Sequence, residues 1–453
     1  MKTIKRMFGL AALSLVIPSV SGAASVDRVV ARQQWPWSAG IVVDYEITAN
    51  TPQDVTVTAY DGEAALGVVA DAAITGQRFC LTSGSYRLTI DPTKAGLGSG
   101  VVKDFKVELT LGDASAANQL ALYKIVDLKS GAVTDVSKGS LLNGDWGSVE
   151  RNTIPATTGG AVIDSVIWTE VTNHVVHPEY KDTKMVFRYV PAGKFKMLSN
   201  RQDKESAGAD ITLTKDYYIA VFEVTHQQFG WCYNWNYGTF SGGQGFRPQE
   251  TITLSMIRGT AVWPTDQTTV DSSSFIGVLR ARSGLPVDLP TEAQWERAAR
   301  AGTNTPYPDG NSFTAAGCTD ESNAYLDVIG RYQKNGGFVN GASPSDKGDP
   351  SKGTAIVGSY RPNAWGLYDV CGNVEEICLD QWIGTSSWWA APNAVDPVGV
   401  KPGQGWDTSA TVARGGCYAS LANQAFVSQR EAYKRANWDA KFGFRPVFTV
   451  DNQ

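Results

Sequence analysis

Between residues 27 and 112 apolar and polar side chains take turns, and this alternation constrains the fold more than any other feature of the 453-residue chain. Val43, Tyr45 and Ile47 fall on one face against Asp44, Glu46 and Thr48; Val55 and Val57 alternate with Thr56 and Thr58; Tyr86, Leu88 and Ile90 alternate with Arg87 and Thr89; Phe105, Val107 and Leu109 alternate with Lys106 and Glu108. A period of two puts one face on a core and the other in water, the pattern of half-buried strands. Asp61-Gly62, Ser83-Gly84 and Asp91-Pro92 supply turns between them. Residues 27–112 are therefore predicted to form a small antiparallel β-sandwich. No grouping of acids, bases or nucleophiles accompanies these strands, so the segment reads as a spacer or docking module.

The first residues read differently. Lys2, Lys5 and Arg6 precede an apolar run over residues 8–20, and Ser21-Gly22-Ala23 offers small side chains at a cleavage point. This is the layout of a secretory signal over residues 1–23, and the apolar run is shorter than the roughly 18 residues that span a bilayer. The expectation is an exported protein, secreted, periplasmic or at the cell surface, with no membrane span. A net charge of -5 gives no attraction to nucleic acid. Three histidines leave little material for a His-based metal centre; His174 and His177 sit beside Val175, Val176 and Pro178, which favour an extended segment. Export permits disulfides among Cys80, Cys232, Cys318, Cys371, Cys378 and Cys417, and with no C-x-x-C pair structural zinc has no support.

From 113 to 180 the pattern weakens into Gly/Thr-rich stretches such as 154–160, a connection or the irregular start of the next domain. Helical signals follow. Thr225 with Gln228 forms a capping box ahead of Phe229 and Cys232. Asp271 or Ser272 opens a second helix with Phe275, Val278 and Leu279 inward and Gly284 as its stop. Thr291 with Gln294 opens the clearest one, with Trp295, Ala298 and Ala299 on one face and Gly302 beyond its end.

Several of these segments resemble a known family in sequence and in order. Phe222-Glu-Val-Thr225, the run Leu289-Pro-Thr-Glu-Ala-Gln-Trp-Glu-Arg-Ala-Ala-Arg-Ala-Gly302, Pro362-Asn-Ala-Trp-Gly-Leu-Tyr-Asp369, Gly372-Asn-Val374, Arg414-Gly-Gly416 and Gly443-Phe-Arg445 are similar to motifs of the formylglycine-generating enzyme (sulfatase-modifying factor) family. The resemblance covers 181–453. It implies an α+β fold of the variant C-type-lectin-like kind, with two main helices, a small twisted sheet and long loops held by calcium. By the same resemblance a structural calcium falls on Asp369, Gly372, Val374 and Glu376, and a second on Asn323 and Asn335. Oxygen-rich loops of this kind suit Ca²⁺. Glu375 and Ile377 stand where the family pattern Gly-Asn-Val-Trp-Glu-Trp has aromatics.

The oxygen-dependent members of the family oxidise a sulfatase Cys to formylglycine with two copper(I)-binding Cys. The matching positions here are Ser420 and Ala425, and Cys417 replaces the family's Ser. A hydroxyl and a methyl group do not substitute for two thiolates, so the resemblance implies that copper and oxidase chemistry are absent. Cys417 has two readings, a disulfide with Cys371 or Cys378, or a relocated reactive thiol. No other catalytic motif is present: there is no H-E-x-x-H, G-x-S-x-G or G-K-[ST]. The expectation is a protein that binds a peptide, glycan or exported protein at a cleft bordered by Trp365, Arg414, Cys417, Ser420, Arg430 and Arg445. The competing readings are a buried structural role for Arg414 and Arg445, and an enzyme that modifies a sulfatase through a rearranged thiol site.

Overall fold

The computed structural model describes residues 24–33, 38–97, 102, 104–142, 150–152, 165–167, 178–198, 208–235, 237–240, 245–260, 269–308, 310, 319, 321–336, 352–382, 394–397, 409–436 and 438–450. The segment 1–23, the stretch 154–160, His174, His177 and Cys318 lie outside the described residues. The rest divides into two compact units, one made of the described residues up to 122 with 136–142, the other of 123–135 with the described residues from 150 onward.

The first unit is β-rich. Ser25–Gln33, Ile41–Thr48, Gly84–Ile90 and Ile74–Gly76 hydrogen-bond in that order as one antiparallel sheet, and Ala64–Val68, Gln53–Asp61 and Phe105–Asp113 as a second. The register follows the alternation, with Val43 opposite Leu88 and Val57 opposite Leu109. Those side chains join Tyr45, Ile47, Val55 and Ile90 in one buried apolar cluster. The alternate residues face water, where Arg32 and Arg87 both pair with Asp44. Period two thus decides which atoms are buried, and burial of apolar area is what holds the sheets together.

In the second unit a five-stranded sheet runs in the order Val447–Thr449, Tyr217–Ala220, Lys184–Val190, Ala121–Asp127, Val133–Ser137. Val126 stands opposite Met185, so a strand from the weakly patterned stretch 113–180 belongs to this sheet. Aromatic packing fixes its face: Phe448 stacks on Tyr218 at 5.0 Å and meets Phe187 edge-on at 5.2 Å. A smaller four-stranded sheet orders Arg430–Lys434, Ala410–Arg414, Glu375–Gln381 and Phe442–Gly443. Between these strands the chain is mostly loop.

Three longer helices start and stop where side chains satisfy their free ends. Thr225 and Gln228 cap the helix His226–Tyr233 reciprocally, and Thr291 and Gln294 do the same for Glu292–Arg300. The helix Phe275–Ser283 begins later than its sequence suggests, because Ser274 is its cap. Asp271 instead closes its own turn, accepting from the Ser273 N–H at 2.8 Å. Gly284 ends that helix at φ +70°. His226, at the first position of its helix, is buried, and burial depresses its imidazole pKa to about 4.

Candidate functional site

The helix Glu292–Arg300 is amphipathic by sequence yet buried all round, and its acidic face organises the centre of the unit. Glu292 and Glu296 lie one turn apart and reach the strands of the smaller sheet. Arg414 bridges them, 3.1 Å from Glu292 and in contact with Glu296. Arg430 forks onto Glu292, with Nη2 at 3.0 Å, and Arg300 pairs with Glu296 at 2.7 Å. Leu198 N–H donates to Glu296 at 2.6 Å, and Glu292 N–H donates to Asp380 at 2.6 Å. Each charge taken from water therefore has a charged or backbone partner, the condition under which buried ions persist.

Arg445 forms a second centre. Nε donates to Glu376 Oε2 at 2.5 Å and Nη2 to Oε1 at 2.6 Å, while the remaining N–H groups reach the carbonyls of Ala220, Val221 and Tyr368. Trp295 Nε1 adds a bond to Glu376 at 2.7 Å. Trp365 is buried under the Arg297 guanidinium at 5.8 Å. Of the six residues expected to border a cleft, Trp365, Arg414, Cys417, Ser420, Arg430 and Arg445, all are buried, and the three guanidinium groups are held by Glu292, Glu296 and Glu376. Arg414, Arg430 and the Cys417 loop come together; Arg445 and Trp365 sit at other elements.

Cys371, Cys378 and Cys417 are not joined by a disulfide, the first of the two readings given for Cys417. Cys378 Sγ lies 3.7 Å from the Glu376 carbonyl, and Cys417 Sγ lies 3.5 Å from Ser420 Oγ, which accepts from Cys417 N–H at 3.0 Å. Burial, then the Glu375 carboxylate, pushes the Cys417 thiol up, opposite to an activated thiolate. Gly416 must be glycine: at φ +74° a Cβ there would stand 2.3 Å from the Gln424 carbonyl.

The loop from Asp369 to Glu376 gathers buried carboxylates. Asp369, at φ +59°, accepts from Gly358 N–H at 2.7 Å through Oδ2 and leaves Oδ1 buried without a partner. Burial pushes its carboxyl up to about 6, opposed by that N–H, Arg445 and Lys181 and assisted by Glu376. Glu223, which no sequence argument singled out, accepts from Asn373 Nδ2 at 2.6 Å and Val374 N–H at 3.1 Å. Burial and repulsion from Asp369 and Glu376 raise it well above the carboxylate range. Its signal was its place in Phe222-Glu-Val-Thr225. A Cβ at Gly372 would stand 2.1 Å from the Arg331 carbonyl, so the backbones there approach as closely as glycine allows. Glu376 has both oxygens engaged by Arg445 and Trp295. The other pair expected to hold calcium is occupied too: Asn323 Oδ1 caps Tyr325 and Leu326 N–H, and Asn335 bonds Tyr332 N–H and the Gly330 carbonyl. Among the described residues no group of three or more His, Cys, Asp or Glu converges as a metal site.

With this geometry in view, comparison with known proteins is informative. The family described as the sulfatase-modifying factor enzyme 1-like domain matches residues 173–450. The formylglycine-generating enzyme of Thermomonospora curvata is 36% identical over 166 residues, covering 35% of this chain and 48% of that protein. The serine/threonine-protein kinase pkn1 of Chlamydia caviae is 27% identical over 293 residues, covering 61% of this chain and 40% of that protein. Among solved structures, the Treponema denticola variable protein 1 covers 59% of this chain and 96% of its own at 21% identity and a TM-score of 0.44. The chain spans less than half the length of these two curated relatives.

Proposed function

The chain belongs to the sulfatase-modifying factor family over residues 173–450, and from that premise we propose that it is an exported binding module rather than an oxidase. The observation that carries this reading is the pair Ser420 and Ala425. Where the oxidising members place two thiolates on copper(I), this chain has a hydroxyl that bonds the Cys417 N–H and a buried methyl group. Neither is a soft ligand. Cys417 is a single buried thiol raised above its ordinary pKa, and it does not replace the pair.

Incubation of the purified chain with a Cys-x-Pro-x-Arg peptide, with and without copper(I), tests the proposal by mass spectrometry. The expected result is no aldehyde. Turnover in the presence of copper(I) overturns the reading and assigns the chemistry to the thiols of Cys371, Cys378 and Cys417.

The family binds calcium, and the loop of Asp369 fits one ion on one ground. Its unpartnered Oδ1 is a buried oxygen with surplus negative charge around it, which a hard divalent cation relieves. In this reading Asp369 and the backbone carbonyls of Gly372 and Val374 hold the ion, and Glu376, committed to Arg445, adds charge from behind. Asn323 and Asn335 serve as backbone caps. Residues 27–112 then form a β-sandwich spacer ahead of a variant C-type-lectin-like domain, and residues 1–23 direct export. No helix among the described residues is long and apolar enough to cross a membrane.

A further inference from the structure

Lys181 ends the short helical turn Pro178–Lys181, and its backbone is fixed there. Its carbonyl accepts from Thr225 Oγ1 at 2.6 Å, and Gln228 Nε2 donates to the neighbouring Tyr180 carbonyl at 3.0 Å. The residue is only 5% exposed. Its ammonium stands over the Phe222 ring, 5.3 Å from the centroid, and forms no ion pair among the described residues. A lysine head withdrawn from water ordinarily sits against a carboxylate. The ring beneath it is wedged in place, since Phe222 meets Tyr368 at 5.0 Å and a Cβ on Gly358 would stand 2.6 Å from it.

Asp369 follows Tyr368 and is the other half of this arrangement. It is 1% exposed, with Oδ2 bound to Gly358 N–H and Oδ1 without a hydrogen-bond partner. The two groups feel each other electrostatically. Burial lowers the Lys181 pKa and the Asp369 carboxylate opposes that; burial raises the Asp369 pKa, and Lys181 is among the charges that oppose it. Around them acids outnumber bases: the carboxyl groups of Asp369, Glu223 and Glu376 face the cations Arg445 and Lys181. Arg445 is committed to both oxygens of Glu376. Lys181, a point charge on a flexible four-carbon stem, is the cation of the cluster with no such commitment.

We propose that Lys181 is a built-in competitor of calcium at the Asp369 loop, supplying positive charge there when calcium is scarce and weakening the hold on the ion when calcium is present. The proposal rests on the calcium reading of that loop given above. A divalent ion on Asp369 and an ammonium coupled to the same carboxylate repel each other, and the buried setting screens that repulsion poorly. Calcium affinity follows the charge gathered at the site. One positive charge beside it therefore makes the loop take the ion only where calcium is plentiful.

The test is calorimetric titration of the full chain with calcium, after chelator treatment, in the parent chain and in Lys181→Met, Lys181→Gln and Lys181→Arg. Methionine and glutamine remove the charge and keep much of the stem, while arginine keeps the charge. The expected result is calcium binding about tenfold tighter in Lys181→Met and Lys181→Gln, with Lys181→Arg close to the parent. The rise in melting temperature on adding calcium should likewise be larger in the two neutral variants, because stabilisation by a ligand grows with its affinity. That rise is a difference within each variant, so a change in basal stability does not imitate it. Calcium binding of equal strength in all four chains, or weaker binding in the neutral variants, overturns the role of Lys181 and leaves the calcium reading standing. No calcium binding in any of the four overturns both.

Discussion

At the scale of single residues, Arg445 shows what a buried charge does here. Its guanidinium joins three separate segments: the strand Glu375–Gln381 through Glu376, the end of Tyr217–Ala220 through Ala220 and Val221, and the loop at Tyr368. A lysine keeps the charge and loses the fork, leaving Glu376 partly unpaired in the interior. Arg445→Lys is therefore expected to cost about 3 kcal/mol of stability, the low end for breaking a buried ion pair, read by urea unfolding with tryptophan fluorescence. A loss below about 1 kcal/mol, the surface-pair value, contradicts this role. The motif Gly443-Phe-Arg445 announced that this arginine matters, and its burial could be stated beforehand only as one of two alternatives. Arg414 shares that ambiguity, because a guanidinium on the page of a sequence looks alike whether it meets a ligand or a glutamate; Arg430, expected only at a cleft, is held by Glu292 instead.

Elements were more legible than residues. The capping boxes at Thr225 and Thr291 stand where spacing alone places them, since a cap depends on atoms within four positions. Thr291→Ala removes the acceptor of the Gln294 N–H, 3.1 Å away, and is expected to cost about 1 to 2 kcal/mol. Thr291→Ser, which keeps the oxygen, should restore most of that loss in the same unfolding measurement; equal effects of the two variants count against a capping role. The start of the helix Phe275–Ser283 was misjudged by two or three positions because Asp271, Ser272 and Ser274 are all competent caps, and only packing selects Ser274. The all-round burial of Glu292–Arg300 had no local signal either. Its Glu, Arg and Ala pattern is that of a surface helix until the arginines of distant strands close over it.

At the scale of the whole molecule, the two compact units have separate apolar clusters, one around Val43 and Leu88 and the other around Phe187 and Phe229. Two calorimetric transitions are expected, and a chelator should lower only the transition of the unit containing Asp369. If neither transition moves and elemental analysis finds no calcium in the purified chain, the ion assigned to that loop is removed from the account. Sequence by itself determined the strands of the first unit, the caps of the helices and the order of motifs that marks the family, because each depends on period or on neighbours a few positions away. Only the tertiary structure decided that Arg414 meets Glu296 across 118 positions and Arg445 meets Glu376 across 69. It also decided that Trp295 lies buried under a guanidinium while Trp438 faces water. A side chain's charge or ring is written in its own residue, but its partner and its distance from solvent follow from the path of every loop around it.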